Sequence, residues 1–198
     1  DLTGIEIIDM RADKEQGRRA RFAKHLAEKR ARMGYTFEEA YDKMYERNYF
    51  GMSMVEQGDA DAFITGLYTK YSNTIKVAKD VIGIREPYKT FGTMHILNTQ
   101  KGIYYIADTL INRHPDEDVL IDVAKLSAGT VKFFNEEPVM AMLSYSNFGT
   151  DNIGSPVKVK KAVAEMQKEF PELAIDGEMQ VNYALNKDLR DEKYPFSR

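Results

Sequence analysis

Residues 138–170 read PVMAMLSYSNFGTDNIGSPVKVKKAVAEMQKEF, and the parsing of this stretch decides the fold. Residues 139–143 form a short apolar run without a charge and are expected to be a buried strand. Ser144-Tyr145-Ser146-Asn147-Phe148-Gly149 follows, dense in hydroxyl and amide groups, and leads into a Gly/Ser/Pro loop. Ser155 before Pro156 suits an N-cap followed by a first-turn proline. Behind it Val159, Ala162, Val163 and Met166 recur at helical spacing and mark one apolar face. In an open parallel sheet, ligands gather at the carboxyl ends of strands, where such loops sit. Ser144, Ser146 and Asn147 are therefore candidates for hydrogen bonding to a polar ligand. With no histidine near them in sequence, nothing marks either serine as an activated nucleophile.

Working outward, residues 173–175 are expected to be another strand, delivering Asp176-Gly177-Glu178-Met179-Gln180 at its end, with 181–189 helical. Asp176 and Glu178 read either as a carboxylate pair for acid–base work or Mg²⁺, or with Asp176 as a cap of the following turn. On the other side, Pro115-Asp116-Glu117 opens a long helix with an acidic first turn, running to about residue 135. Its expected core face is Val119, Val123, Leu126, Ala128 and Val131. Before it, 89–97 and 102–107 read as hairpin strands joined by Asn98-Thr99-Gln100-Lys101. The whole second half argues for an α/β architecture with part of the sheet parallel. The Pro/Gly-bounded connection 83–88 marks the domain boundary.

In the first half, Ile5, Ile7 and Ile8 suggest a strand entered from Asp1-Leu2-Thr3-Gly4. Residues 13–33 alternate charged and apolar side chains at helical spacing, with Phe22, Leu26 and Met33 as a thin apolar stripe. Arg18, Arg19, Arg21, Lys24, Lys29, Arg30 and Arg32 make this helix basic, as a solvated face or, for one or two of them, an anion site. Gly34 fits a helix C-terminus, and Thr36 with Glu39 forms a capping box for a helix carrying Phe37, Ala40, Tyr41, Met44 and Tyr45 inward. Residues 48–57 read as a short helix, 58–59 as a turn, 60–65 as a buried strand and 73–82 as a helix. Between the last two, the loop 66–72 holds Thr69, Lys70 and Ser72 before a helix N-terminus, an arrangement that suits phosphate or carboxylate.

The 198 residues, 43% hydrophobic and 30% charged, suffice for a sizeable core. A net charge of −3 provides no general attraction to nucleic acid or anionic membrane. The absence of cysteine removes disulfides, thiolate nucleophiles and Cys-type zinc sites. No apolar run approaches the ~20 residues of a membrane-spanning helix, and a cytoplasmic protein is expected. His25, His95 and His114 are scattered, and no metal site is expected from them. Walker A, G-x-G-x-x-G, H-E-x-x-H and G-x-S-x-G patterns are all missing. Both ends read as cuts within something longer.

Six segments taken together resemble the phosphate acetyl/butyryl transferase family. They are GIEIID (4–9), RMGYTFEEA (32–40), NYFGMSMVEQGDADAFITG (48–66), LINRHPDED (110–118), AMLSYSNFGT (141–150) and IDGEMQVNYAL (175–185). The resemblance spans the chain and implies two α/β domains with an interdomain cleft, truncated at both ends. Residues 1–88 would be part of the first domain and 89–198 most of the second. SYSNFG, DGEMQ and the GLYTKYS loop look most like the phosphotransacetylase-like C-terminal domain of hybrid NADP-dependent malic enzymes. Free-standing transacetylases tend towards SYSTGGS and DGELQ.

That resemblance implies a domain that senses acetyl-CoA or acetyl phosphate and self-associates into a homo-oligomer. No cofactor is expected in this stretch; NADP and a divalent metal would belong to a malic-enzyme region elsewhere. Arg30 matches one phosphate-holding arginine of the family, and Lys76 stands where a second is usual, losing the planar bidentate fork. The family's catalytic serine–arginine pair and aspartate match nothing up to Arg198, so this stretch alone is not expected to catalyse acetyl transfer. Arg30, Thr69, Lys70, Lys76, Ser144, Ser146, Asn147 and Asp176 are the resulting ligand-binding candidates, and Phe148 is expected to narrow the cleft.

Overall fold

The computed structural model describes residues 3–67 and 69–198. Asp1 and Leu2, which lead into the expected first strand, and Tyr68 of the 66–72 loop lie outside the described residues. Contacts divide the chain into two compact units, Asp1–Ile84 and Arg85–Arg198.

Among the described residues the first unit contains four α-helices: α1 (Gln16–Lys29), α2 (Phe37–Lys43), α3 (Arg47–Glu56) and α4 (Tyr71–Val81). Phe22 and Leu26 fall one turn apart on α1 and are buried with Ala40, Met44, Tyr49, Phe50, Met52, Val77 and Val81. Phe22 meets Phe50 edge-on, with centroids 5.3 Å apart, and burying rings of this size is worth roughly 1.5–3 kcal/mol each. Arg19 breaks the expected solvated basic face. It is 3% exposed and donates to the carbonyls of Met10 at 2.6 Å and Ala12 at 2.9 Å, with Tyr45 stacked at 4.8 Å. Its fixed fork ties the segment before α1 to the helix.

The capping box of α2 is complete: Glu39 N donates to Thr36 Oγ1, and Thr36 N to Glu39 Oε2. Of the residues expected to point inward from it, Ala40 and Met44 do so, whereas Phe37 and Tyr45 are exposed, as is Met33 in a 3₁₀ turn.

Two expected strands of this unit are absent. Residues 5–8 and 60–65 form no strand among the described residues, and Ile5, Ile7 and Ile64 are exposed. A strand owes its existence to a hydrogen-bonded neighbouring strand, and among the described residues neither segment has one. Side chains hold 60–65 instead. The Phe63 ring lies directly on Gly51 of α3, and Thr65 Oγ1 donates to Asn48 Oδ1 at 2.7 Å.

The second unit opens with an antiparallel hairpin, β1 (Met94–Thr99) and β2 (Gly102–Ala107), in register from Met94↔Ala107 to Thr99↔Gly102. The first strand starts five residues later than expected. Helix α5 (Glu117–Phe133) begins at Asp116, whose side chain accepts from Val119 N. Val123 and Val131 of its expected face are buried, joined by Ala124 and Ser127.

Then come β3 (Val139–Leu143), α6 (Ser155–Glu169) and β4 (Ala174–Met179), a strand–helix–parallel-strand unit. The register runs from Val139↔Ala174 to Met142↔Gly177 and shifts at Leu143↔Met179. Contrary to expectation β3 is not fully buried. Met140 and Met142 pack against Ala124, Met166 and Ile175, while Val139 and Leu143 face outward because only one face is covered. Val159, Ala162, Val163 and Met166 of α6 are all buried. Its cap is Gly154, at φ 72°, rather than Ser155, with Pro156 in the first turn. Strand β4 is longer than expected and absorbs Asp176 and Glu178. The terminal helix splits at Asn186 into α7 (Val181–Leu185) and α8 (Lys187–Lys193).

Candidate functional site

The end of β3 and the end of β4 are stitched together by the loop between them. Ser144 N donates to Met179 O at 2.9 Å, extending the parallel ladder by one rung. The chain then bends at Phe148 (φ 44°) and Gly149 (φ 85°), returning two amides to Glu178. Phe148 N donates to the Glu178 carbonyl at 2.8 Å, and Gly149 N to Glu178 Oε1 at 2.5 Å. Asn147 and Gln180 bond reciprocally: Asn147 Nδ2 donates to Gln180 Oε1, and Gln180 N to Asn147 Oδ1, both at 2.8 Å.

Asn147 is therefore a staple, its carboxamide spent on the protein. Ser144 and Ser146 are different. Their hydroxyl oxygens are shielded from solvent without a hydrogen-bond partner, as is Glu178 Oε2. Leaving a polar atom buried and unpaired costs about 1–3 kcal/mol, more for a charged one. The site thus holds unused hydrogen-bonding capacity at a strand end. Glu178, read in sequence only as half of a carboxylate pair, is its most buried member at 0% exposure. Asp176 is engaged elsewhere, accepting from Gly177 N, Ser197 Oγ and Arg198 N at 2.8–2.9 Å. Phe148 packs on Tyr194 and Phe196, with centroids 4.8 and 5.2 Å away, and so anchors the last described turn of the chain.

In the first unit the candidates separate along α4. Thr69 and Lys70 lie at its N-terminal end, Lys70 in the cap position, and Thr69 Oγ1 is 3.2 Å from Thr74 Oγ1. Lys76 is exposed on the helix. Arg30 is at the other end: Nε donates to Asp80 O at 2.7 Å, and Nη2 to Lys79 O. At 1.5 Å per residue, this is roughly 15 Å from Lys70, so Arg30 does not join Thr69 and Lys70 in one cluster. It neutralises the negative pole of the helix instead.

Beside it Asp80, 6% exposed, accepts from Tyr49 Oη at 2.7 Å and Tyr35 Oη at 3.0 Å. Burial, then the bond to Asp80, holds the Tyr49 hydroxyl well above its ordinary range; Tyr35 is raised chiefly by burial too. Lys43 lies over both rings. Sequence reasoning missed this cluster. Its signal was a charge on the apolar stripe, Asp80 between Val77 and Val81.

Among the described residues no group of three His, Cys, Asp or Glu side chains is placed to hold a metal ion. No helix there is long and apolar enough to cross a membrane.

The sequence profile described as "Phosphate acetyl/butaryl transferase" matches residues 1–198. The NADP-dependent malic enzyme of Escherichia coli is 37% identical over 167 residues, which cover 84% of this chain and 22% of that protein. The phosphate acetyltransferase of Bacillus subtilis is 34% identical over 162 residues, covering 82% and 50%. Among solved structures, the EutD phosphotransacetylase from Staphylococcus aureus superposes with a TM-score of 0.75 at 26% identity, over 98% of this chain and 59% of that one. A phosphotransacetylase from Streptococcus pyogenes gives 0.76 at 30%, over 97% and 56%. The chain thus spans about a fifth of the E. coli malic enzyme and half of the B. subtilis acetyltransferase.

Proposed function

The chain belongs to the phosphate acetyl/butaryl transferase family, and from that premise we propose that it is the regulatory domain of an NADP-dependent malic enzyme. In this reading it binds acetyl-CoA and joins copies of the protein into an oligomer. Oxidative decarboxylation of malate, with its NADP and divalent metal, falls to another region of the parent protein, and the setting is cytoplasmic. The observation that carries the reading is the similarity to malic enzymes, which reaches 37% identity. Lys76, in place of the arginine that the family resemblance leads one to expect, fits a site that keeps positive charge without a bidentate phosphate clamp. Exposed Lys70 and Lys76 supply attraction for the phosphates of acetyl-CoA, and the 144–149 loop supplies neutral polar contacts.

The test is calorimetric titration of acetyl-CoA into the full-length protein. Saturable binding that Lys76→Ala weakens, with the unfolding midpoint unchanged, supports the reading; silence at millimolar acetyl-CoA overturns it. Arg30→Ala is expected to weaken binding as well, and also to lower stability because Arg30 holds the end of α4.

A second reading is catalysis by a phosphate acetyltransferase, favoured by the similarity to the B. subtilis enzyme. Formation of acetyl-CoA from acetyl phosphate and CoA by the full-length protein would establish it in place of the first.

A further inference from the structure

On the hairpin of the second unit a hydroxyl and an imidazole meet: Thr109 Oγ1 lies 2.8 Å from His95 Nδ1. His95 sits on β1 opposite Ile106, one position before Ile96, whose partner Tyr105 packs on Phe134 at the end of α5. Side chains alternate along a strand, so His95 stands on the other face of the hairpin, where it is exposed with Leu97 and Ile106. Thr109 comes two residues after the end of β2, and a fixed turn brings it back. Asp108 N donates to Thr93 O at 3.0 Å, adding a rung to the ladder, and Asp108 then takes φ 56°. Asn112 Nδ2 clamps this turn through Asp108 Oδ1 at 2.8 Å, and Thr90 Oγ1 donates to Asn112 Oδ1 at 2.9 Å. Left-handed backbone is uncommon outside glycine and persists where surrounding bonds hold it. Here it sets the Thr109 hydroxyl against the His95 ring.

A hydroxyl within hydrogen-bond reach of an imidazole is the core of a nucleophile–base pair. Neither side chain has another hydrogen-bond partner among the described residues. With the ring proton on Nε2, Nδ1 accepts from the hydroxyl and is placed to take its proton. Both side chains are exposed, so a small acyl donor reaches them from solvent. The pair itself offers no donor to a developing oxyanion, so the acyl group must bring its own good leaving group. We propose that Thr109, with His95 as its base, is a site of self-acylation by a small acyl phosphate. The Thr109 oxygen attacks the acyl carbon, and the bond from that carbon to the phosphate oxygen breaks. His95 Nδ1 takes the hydroxyl proton and releases it to solvent, while phosphate leaves with the bonding electron pair. The products are an ester on Thr109 and inorganic phosphate, with nothing oxidised or reduced. The ester uses up the hydroxyl, so the reaction stops after one acyl group. This modification goes beyond the regulatory reading and does not need acetyl-CoA to bind.

The experiment treats the full-length protein with acetyl phosphate and follows acetylated peptides by mass spectrometry, with hydroxylamine separating labile esters from lysine amides. The expected result is a hydroxylamine-labile acetyl group on the peptide that holds Thr109, absent in Thr109→Val, which keeps the side-chain shape. His95→Gln still bonds a hydroxyl but offers no base, and should slow labelling about tenfold or more with the circular dichroism unchanged. A bond that only braces the turn would leave that rate as it is. Acetylation confined to lysines, or a Thr109 ester that His95→Gln slows by less than about tenfold, overturns the proposal. Calorimetry with acetyl-CoA is read separately, so failure of this proposal and failure of the regulatory reading are distinguishable.

Discussion

Asp80 is served by two tyrosine hydroxyls inside the first unit, and the shorter bond comes from Tyr49. Removing that hydroxyl leaves the carboxylate with Tyr35 alone, so Tyr49→Phe should cost about 1.5–3 kcal/mol, read from urea unfolding midpoints near neutral pH. The cost should depend on pH. The folded state holds the Tyr49 proton more tightly than the unfolded chain, where tyrosine ionises near 10. Above that pH the unfolded state loses a proton that the folded state keeps, and stability falls. The gap between wild type and Tyr49→Phe is therefore full below pH 10 and should shrink as pH rises beyond it. Neither Asp80 nor Arg19 was legible in composition or charge runs. Each is a charge on an apolar stripe, and its meaning depends on partners supplied by other segments: Tyr35 and Tyr49 for one, the Met10 and Ala12 carbonyls for the other.

Among the elements, those whose signal is local were readable in advance. The Thr36–Glu39 box lies within one turn, and Thr36→Ala should lower stability by about 1 kcal/mol in chemical denaturation, with α2 fraying first. Val159 to Met166 likewise gave α6 its buried face from spacing alone. Strands were less legible because a strand is half of a pair. Residues 60–65 looked as strand-like as 139–143, but only the latter has a partner, in β4. The pairing also explains why β4 runs on through Asp176 and Glu178, which looked in sequence like loop residues. In the candidate site, the hydroxyl-rich loop was readable from Ser144 and Ser146, but the staple role of Asn147 was not, because its partner Gln180 is 33 residues away. Asn147→Ala removes the acceptor of the Gln180 amide, and hydrogen exchange there should quicken by about tenfold or more, corresponding to about 1.4 kcal/mol.

For the molecule as a whole, exposed apolar side chains are where the proposed oligomer can be tested. Phe133 (79% exposed) and Val139 (83%) stand out on the second unit. If the proposed oligomer uses this surface, Phe133→Lys should shift the full-length protein to a smaller species in sedimentation velocity, with its circular dichroism unchanged. The first unit raises a different matter. Gly51 presents no side chain, and the ring of Phe63 occupies the space where one would be. Substituting even alanine would evict Phe63, leaving Thr65–Asn48 as the remaining described side-chain hold on 60–65. Gly51→Ala should therefore loosen a stretch that ends just before Thr69 and Lys70, visible as faster proteolysis at that loop. A contact made of absence behaves like a keyhole: helix α3 holds the ring of a distant segment by what it omits, and every possible replacement at position 51 is a wrong key.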